Sequence, residues 1–336
     1  MPDGLAVAVG VVLLVVTGWD VVTTVFGASM GSGPITRGWT RLLSRVAGGL
    51  RRHRAVMVWL GPLSAAATTP VWLGLLWLGW GLVFQPEGSV VGSTTGVPAT
   101  DWEQAYYVGY TISTLGNGEF LPTGPLWQAL TVVAAASGFI VITVGLSYVI
   151  ALVGAANQRN TVAVRVHALG HTPTDVAVGA WDGRDLHQID VDLHTLHGSI
   201  DQVAQQHLAY PVLRHFHSTE HRNALAPRLA ALDEALTLME CGIRRGHGPR
   251  LRTVRQTRAA IERFLVLERR PRRASDPPPP PPPDLAPLRA AGLPVVDDAE
   301  FGSAVDRCRE RRTALRRFVE GDGWAWTDVS GAGRPG

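Results

Sequence analysis

Three long apolar runs constrain this chain more than any other feature of its sequence. They cover residues 5–26, 62–84 and 126–153. Since a helix of about 20 apolar residues crosses the hydrocarbon core of a bilayer, each run is long enough to span it. Hydrophobic residues make up 46% of the 336 residues and charged residues 18%, and most of the charge lies after residue 153. We therefore expect an all-α membrane protein with a membrane half followed by a soluble, mainly helical half.

A short loop between the second and third runs carries the arrangement that most clearly indicates a chemistry. It has glycine at alternate positions, and glycine adopts backbone angles that other residues reach only at a cost. Such a ribbon can turn successive carbonyl oxygens the same way, and carbonyl oxygens from several chains can replace the water around a cation. The sequence thus predicts a cation-binding filter, with Glu119 at its outer mouth and with ligands from Thr114, Leu115, Gly116, Asn117 and Gly118.

The segments on either side of this loop fit the same interpretation. Residues 102–111 are long enough for about three helical turns, and a helix ending at the loop would present the negative end of its dipole to a cation. The outer region, residues 85–124, contains acidic residues and no basic one. These charges would concentrate cations at the mouth, although a loop on the outer side would lack arginine on topological grounds alone.

At these residues the chain resembles the tetrameric cation channels of the potassium-channel superfamily. Their filter pattern is Thr-x-x-Thr-x-Gly-Tyr-Gly-Asp, with a proline a few residues later. The resemblance covers residues 101–154 and implies a pore-loop domain of two helices, a pore helix and a filter, preceded here by an extra N-terminal transmembrane helix. It also implies a homotetramer, because one chain supplies one quarter of the ring. The matching residues are Thr111, Thr114, Gly116, Gly118, Glu119, Pro122 and the helix start at Leu126-Trp127.

Asn117 departs from the family pattern, because the family has an aromatic residue there. The loop is also similar to the Thr-Val-Gly-Asp-Gly filter of bacterial channels that conduct sodium and potassium alike. We expect a channel for monovalent cations that favours potassium, with a nonselective channel as the alternative. A third hypothesis is a membrane-anchored signalling or scaffold protein whose loop does not conduct. No nucleophile–base pair, phosphate loop or metal motif indicates an enzyme, a bound metal or a cofactor.

The charges around the first two runs predict the orientation in the cell membrane. The segment between those runs contains several arginines and no acidic residue, which places it in the cytoplasm. The spacing of Arg37, Arg41 and Arg45 indicates an amphipathic helix on anionic lipid, and a nucleic-acid partner is not expected. Three spans then put the amino terminus outside and the C-terminal half in the cytoplasm.

Two residues in the apolar runs have alternative interpretations. Asp20 either lies at the interface, reaching headgroups or a nearby arginine, or acts in gating or ion attraction, since an unpaired carboxylate is costly inside a bilayer. Gly138 either lets helices pack closely or serves as the bend of the pore-lining helix, the role that the family resemblance suggests.

Composition and periodicity divide the chain into six segments. An N-terminal transmembrane helix (1–30) and a basic segment (31–54) precede the pore domain (55–157). A cytoplasmic helical domain (158–268) follows, with helices predicted at 189–209, 228–243 and 251–267 and short strands within 162–178. A proline-rich linker (269–290) then leads to the last segment (291–336), in which Asp297 or Asp298 caps one helix running to Glu320.

Three residue types in the soluble half invite functional interpretations. Histidines cluster between residues 187 and 221, which suggests a metal site or a proton sensor. No Cys-x-x-Cys or His-Glu-x-x-His motif accompanies them, so a polar helix surface is the favoured interpretation. Cys241 and Cys308 are expected to be reduced thiols. The seven prolines of residues 277–283 form a polyproline segment of about 22 Å, expected to act as a stiff spacer rather than as a ligand for a proline-binding partner.

Overall fold

The computed structural model describes residues 3–27, 33–49, 54–268 and 277–331, and it is mostly helical (73%). Arg51, Arg52 and residues 269–276 of the predicted linker lie outside the described residues. The chain forms two compact units. The first, which we call the membrane unit, comprises Met1–Ala47, Pro62–Val153 and Ala209–Val212. The second, the C-terminal unit, comprises Gly48–Gly61, Gly154–Leu208 and Leu213–Gly336.

The described residues up to Leu169 form five α-helices and one two-stranded antiparallel sheet. The helices are α1 (Asp3–Phe26), α2 (Pro34–Gly49), α3 (Arg54–Val83), α4 (Asp101–Ile112) and α5 (Gly124–Leu169). Strands β1 (Val90–Gly92) and β2 (Phe120–Pro122) pair antiparallel, with Val91 opposite Leu121. Three helical stretches are long and apolar enough to cross a membrane, namely Asp3–Phe26, Gly61–Val83 and Gly124–Leu169. All three predicted apolar runs are therefore helical.

Two helix boundaries differ from the prediction. Helix α3 begins at Arg54 and contains both Pro62 and Pro70, although we expected it to begin at Pro62. A proline inside an apolar helix is tolerated when the freed backbone groups find other partners. Helix α5 continues past the predicted end at residue 153 to Leu169. Its polar extension remains helical because Val162 and Val166 are completely buried in the core of the C-terminal unit.

Aromatic side chains form much of the core of the membrane unit. Trp72 and Phe84 are completely buried, and Tyr107 is 2% exposed. The ring of Phe84 contacts Tyr107 at 5.5 Å and Trp127 at 5.4 Å between centroids. Aromatic pairs at this separation add to the free energy gained from burial alone. These contacts pack Phe84, directly after α3, against α4 and α5.

Asp20 has a role that neither of our interpretations anticipated. It is completely buried and accepts hydrogen bonds from the backbone N–H of Ile35 at 2.7 Å, from the N–H and hydroxyl of Thr36 at 3.2 and 2.6 Å, and from the indole of Trp72 at 2.9 Å. The two backbone donors belong to the first turn of α2, where N–H groups have no partner within the helix and where the dipole favours an anion. The carboxylate therefore fastens the start of α2 to α1 and α3.

We expect Asp20→Ala to lower the free energy of unfolding by about 3 kcal/mol, because it leaves buried donors without an acceptor. Trp72→Phe, which removes one of the donors, is the graded control and should cost about 1 kcal/mol through that bond. Thermal unfolding of both variants in detergent would measure the difference. Wild-type stability in Asp20→Ala would contradict this account of the carboxylate.

Helix α8 forms the centre of the C-terminal unit. All of its residues, Leu225–Thr237, are buried. The mainly helical prediction is confirmed, and the predicted helices at 189–209 and 251–267 match two observed helices. The predicted strands within 162–178 are wrong, since those residues belong to α5, a turn and the next helix, α6 (Pro173–Gly179). The remaining α-helices of the described residues are α6 (Pro173–Gly179), α7 (Ile189–Ala209), α9 (Leu251–Leu267), α10 (Ala286–Ala290), α11 (Asp298–Asp306), α12 (Arg309–Gly321) and α13 (Thr327–Ser330).

The C-terminal segments also differ from the prediction. Asp297 caps a helix as expected, since its side chain accepts from the backbone N–H of Glu300. However, the single predicted helix is divided into α11 and α12 at Cys308. Residues 277–283 are not a free spacer, because the buried guanidinium of Arg312 donates to the carbonyls of Pro280 and Pro281 at 3.1 and 2.7 Å. These segments and residues 213–268 belong to one unit rather than to three.

Candidate functional site

The candidate loop begins at the carboxyl end of α4 and leads into β2. Helix α4 starts with a capping box, in which the Thr100 side chain accepts from Glu103 N–H and the Glu103 carboxylate accepts from Thr100. The hydrogen bonds from the Thr100 backbone and hydroxyl lower the pKa of Glu103. The helix ends in the buried residues Thr111 and Ile112. Residues 113–119 that follow are exposed in the single chain.

The backbone of this loop alternates in handedness. Thr114, Gly116 and Gly118 have positive φ values of 61°, 55° and 77°, whereas Leu115 and Asn117 between them do not. Within the described ranges, Thr114 is the only residue other than glycine with positive φ. A β-branched residue there costs about 1–3 kcal/mol. Such a conformation persists only where the surrounding structure enforces it.

Hydrogen bonds to the end of α4 enforce this conformation. The carbonyl of Tyr110 accepts from the N–H of Leu115 at 2.9 Å and of Gly116 at 3.4 Å, and the carbonyl of Thr111 accepts from the N–H of Thr114 at 3.1 Å. The loop thereby satisfies carbonyls that a helix leaves open at its last turn. The first N–H groups of the loop therefore donate to carbonyls of α4.

The carbonyl oxygens of the loop are left open by the same arrangement. No group in the described part of the chain donates a hydrogen bond to the carbonyl oxygen of any residue from Thr114 to Gly118. These five consecutive residues are the ones predicted as the filter, and we call them the ribbon. Such oxygens need water, a cation or another chain as a partner.

Tyrosines of α4 hold the far end of the loop, a feature that the sequence reasoning missed. The Asn117 side chain donates to the hydroxyl of Tyr106 at 2.7 Å and accepts from Glu119 N–H at 3.3 Å. The hydroxyl of Tyr110 donates to the Phe120 carbonyl at 3.1 Å, and the rings of Tyr106 and Tyr110 lie 5.3 Å apart. Tyr106 and Tyr110 are four residues apart and so share a helix face, which was the available signal.

Glu119 connects the loop to the two-stranded sheet formed by β1 and β2. Its carbonyl accepts from Ser93 N–H at 2.9 Å, and its side chain is exposed. The adjacent residue Phe120 begins β2, which pairs with β1. The backbone at the predicted outer mouth is therefore anchored while the carboxylate is free to act on ions in solution.

Gly138 lies where α5 crosses the end of α4. A Cβ atom at this position would collide with the backbone carbonyl of Ile112, and α5 continues through Gly138 without interruption. The neighbouring Ser137 hydroxyl accepts from the Trp80 indole at 3.0 Å, which joins α5 to α3. Close packing is the interpretation of Gly138 that this geometry favours, and the bend stays a prediction.

We expect Gly138→Ala to lower the free energy of unfolding by about 1–3 kcal/mol, because the added methyl group overpacks the contact with α4. Gly154→Ala on the same helix is the matched control, since nothing lies within 4 Å of a Cβ at that position. It should leave stability unchanged or raise it by up to about 1 kcal/mol. Equal unfolding temperatures for the two variants in detergent would show that the close approach is unimportant.

The predicted histidine cluster is distributed among separate partners in the C-terminal unit. His207 lies 2.7 Å from the carboxylate of Glu268, and His217 lies 2.9 Å from that of Asp322. Burial lowers the pKa of His207, and the hydrogen bond with Glu268 only partly opposes this effect. Among the described residues, no three side chains of the metal-binding types are grouped where they could hold a metal ion.

The fold and the loop define a mostly helical membrane protein with three candidate spans and a helical C-terminal unit. The chain is 31% identical over 331 residues to the uncharacterized membrane protein YdjJ of Bacillus subtilis (strain 168), a match that covers 97% of this chain and 96% of that protein. The chain belongs to the same family as YdjJ. No protein-family model and no solved structure matches it.

Proposed function

We propose that the protein is a homotetrameric channel for monovalent cations, with the carbonyl oxygens of residues 114–118 as its filter. The observation that carries this proposal is a ribbon of alternating handedness whose carbonyl oxygens accept no hydrogen bond from the described residues. Carbonyl dipoles of this kind can replace the hydration shell of an ion. One chain offers a single ribbon, so a closed ring requires several copies, and the resemblance to the potassium-channel superfamily makes that number four.

Helix α4 supports the same proposal. It ends directly before the ribbon, and the partial negative charge at the carboxyl end of a helix favours a nearby cation. Its tyrosines brace the ribbon from one side through Asn117 and Phe120. A filter that distinguishes ions of different size needs such fixed oxygen positions, and hydrogen bonds with partners inside the same chain provide them.

The orientation that we propose puts the amino terminus and the filter loop outside and the C-terminal unit in the cytoplasm. The arginines of α2 then face the cytoplasmic leaflet, where anionic lipid attracts them. The attachment of α2 to Asp20 is consistent with a helix held at a fixed depth. Arg37, Arg41 and Arg45 lie on the exposed surface of this helix.

We propose a preference for potassium and keep nonselective sodium and potassium conduction as the second candidate. Asn117 favours the second candidate, because a single amide hydrogen bond to Tyr106 replaces the packing of an aromatic ring. The contacts among Tyr106, Tyr110 and Phe120 favour the first, because they stiffen the wall behind the ribbon.

Purified protein in planar bilayers should carry a cation current that reverses close to the potassium equilibrium potential under a sodium–potassium gradient. A reversal near zero would support the nonselective candidate. Gly116→Ala should abolish the current, since a side chain at its φ of 55° distorts the ribbon. Gly96→Ala is the matched control, with a φ of 65° and open space around a Cβ but a position outside the ribbon. An inert wild-type tetramer, or a protein that is monomeric or dimeric, would favour the scaffold hypothesis instead.

Glu119→Gln should reduce single-channel conductance at a low salt concentration, because its exposed carboxylate raises the local concentration of cations. The reduction should disappear near 1 M salt, where the screening length is about 3 Å. Glu87→Gln removes the same charge from an exposed position outside the ribbon and should have the smaller effect. A salt-independent loss in Glu119→Gln would indicate a structural role for the side chain.

A further inference from the structure

The seven consecutive prolines of residues 277–283 form a segment of the C-terminal unit that belongs to no helix or strand. Proline fixes its own φ at about −65° and keeps the residue before it out of the α-helical region. Consecutive prolines therefore adopt the polyproline II helix, which has about three residues per turn. Side chains three positions apart lie on one ridge of such a helix, so the segment has three ridges.

The burial of these prolines follows the same threefold period. The inner ridge contains Pro280, which is buried, and the half-buried Pro277 and Pro283, three positions away on either side. The other two ridges are exposed in the single chain except at Pro279, which is half-buried. The C-terminal unit therefore covers one ridge and leaves two in contact with solvent. The two outer ridges consist of Pro278 with Pro281 and of Pro279 with Pro282.

A buried ion pair holds the segment on its inner side. The guanidinium of Arg312 in α12 donates to the carbonyls of Pro280 and Pro281 at 3.1 and 2.7 Å. The carboxylate of Glu234 in α8 accepts from the same guanidinium at 2.7 and 2.9 Å. The side chains of Arg312 and Glu234 are only 2% and 3% exposed. The segment is thus attached through its backbone, and the rings of the outer ridges are not used for the attachment.

One outer ridge also has open carbonyl groups. The carbonyl of Pro278 accepts from Arg316 at 3.2 Å, whereas no group in the described part of the chain donates to the carbonyls of Pro279 and Pro282. Proline has no N–H, so the segment offers only acceptors. Its complement is a surface of aromatic side chains, because these pack on apolar rings while an indole N–H or a tyrosine hydroxyl donates to a carbonyl.

We propose that residues 277–283 are a docking surface for a protein domain with a groove lined by aromatic side chains. SH3, WW and EVH1 domains recognise polyproline helices in this way, and the rigidity of the helix limits the entropy lost on binding. The two outer ridges fill the groove while the inner ridge stays on α12. A spacer, the role favoured by the sequence, would not be held along its length by arginines of another helix. The proposal does not depend on ion conduction.

The test uses the full-length protein in detergent. The probes are recombinant SH3, WW and EVH1 domains, selected because they bind a free peptide of seven prolines. We expect the protein to bind at least one of these probes and the free peptide to compete for it. If the folded protein binds none of the probes that bind the peptide, the outer ridges are inaccessible and the proposal is wrong.

Three variants test which ridge the probe contacts. Pro281→Ala removes an exposed ring but keeps the carbonyl that accepts from Arg312, and it should weaken binding about tenfold. Pro280→Ala, on the covered ridge, should weaken binding by less than about threefold. Pro287→Ala is the matched control, since this exposed proline lies in α10 outside the segment, and it should leave binding unchanged.

Unfolding temperatures of the three variants would show that each is folded. Equal weakening by Pro280→Ala and Pro281→Ala in folded protein would contradict the assignment of the ridges. A loss in Pro287→Ala as large as that in Pro281→Ala would show that the probe does not read this segment, and would overturn the proposal.

Discussion

A backbone polar group that cannot reach water must find a partner within the protein, and this constraint organises the membrane unit. It acts most visibly where α4 ends among apolar side chains. The carbonyls of Tyr110 and Thr111 are satisfied by N–H groups of the loop that follows. Because the N–H groups of Thr114, Leu115 and Gly116 turn back toward the helix, the backbone takes positive φ values at Thr114 and Gly116. The N–H groups at the start of the ribbon thus satisfy the end of α4, while the carbonyls of the ribbon accept no hydrogen bond from the described residues.

The same constraint explains the carboxylate inside α1. Asp20 would be costly in an apolar environment if it had no partner. The first turn of α2 has the opposite problem, since its N–H groups lack acceptors within the helix. Joining the two removes both costs, and Trp72 donates one further hydrogen bond from α3. A buried charge and an amphipathic helix therefore form one structural feature, although they are separated in sequence.

Sequence reasoning succeeded where one local pattern decides the structure. Apolar periodicity located α7 and α9, and the length of the apolar runs located the three candidate spans. Sequence reasoning failed where the local structure depends on contacts with residues distant in sequence. Val162 and Val166 were predicted within short strands, but both lie in α5 and are buried in the core of the C-terminal unit. Nothing local indicates that Arg312 binds the carbonyls of a proline segment some thirty residues earlier.

The candidate site, too, could be predicted from the sequence only in part. The glycine spacing indicates the ribbon, but the hydrogen bond between Asn117 and Tyr106 depends on how the loop folds back over α4. Tyr106, Tyr110 and Phe120 could therefore be predicted to lie behind the ribbon only if the path of the loop were known. The glycines allow that path but do not determine it.

The packing of α5 connects the two interpretations of Gly138, close helix packing and a bend of the helix. Gly138 is in contact with the carbonyl of Ile112, two residues before the ribbon begins, and Gly145 is in contact with Thr69 of α3. A bend of α5 at Gly138 would withdraw the helix from the end of α4 and leave a void there, since the interior of a protein is close-packed. If four copies form the channel that we propose, a movement of α5 at this glycine would also affect the proposed filter. The support that α5 gives to α4 would change with it, so that gating at Gly138 and the geometry of the carbonyl ribbon would be coupled.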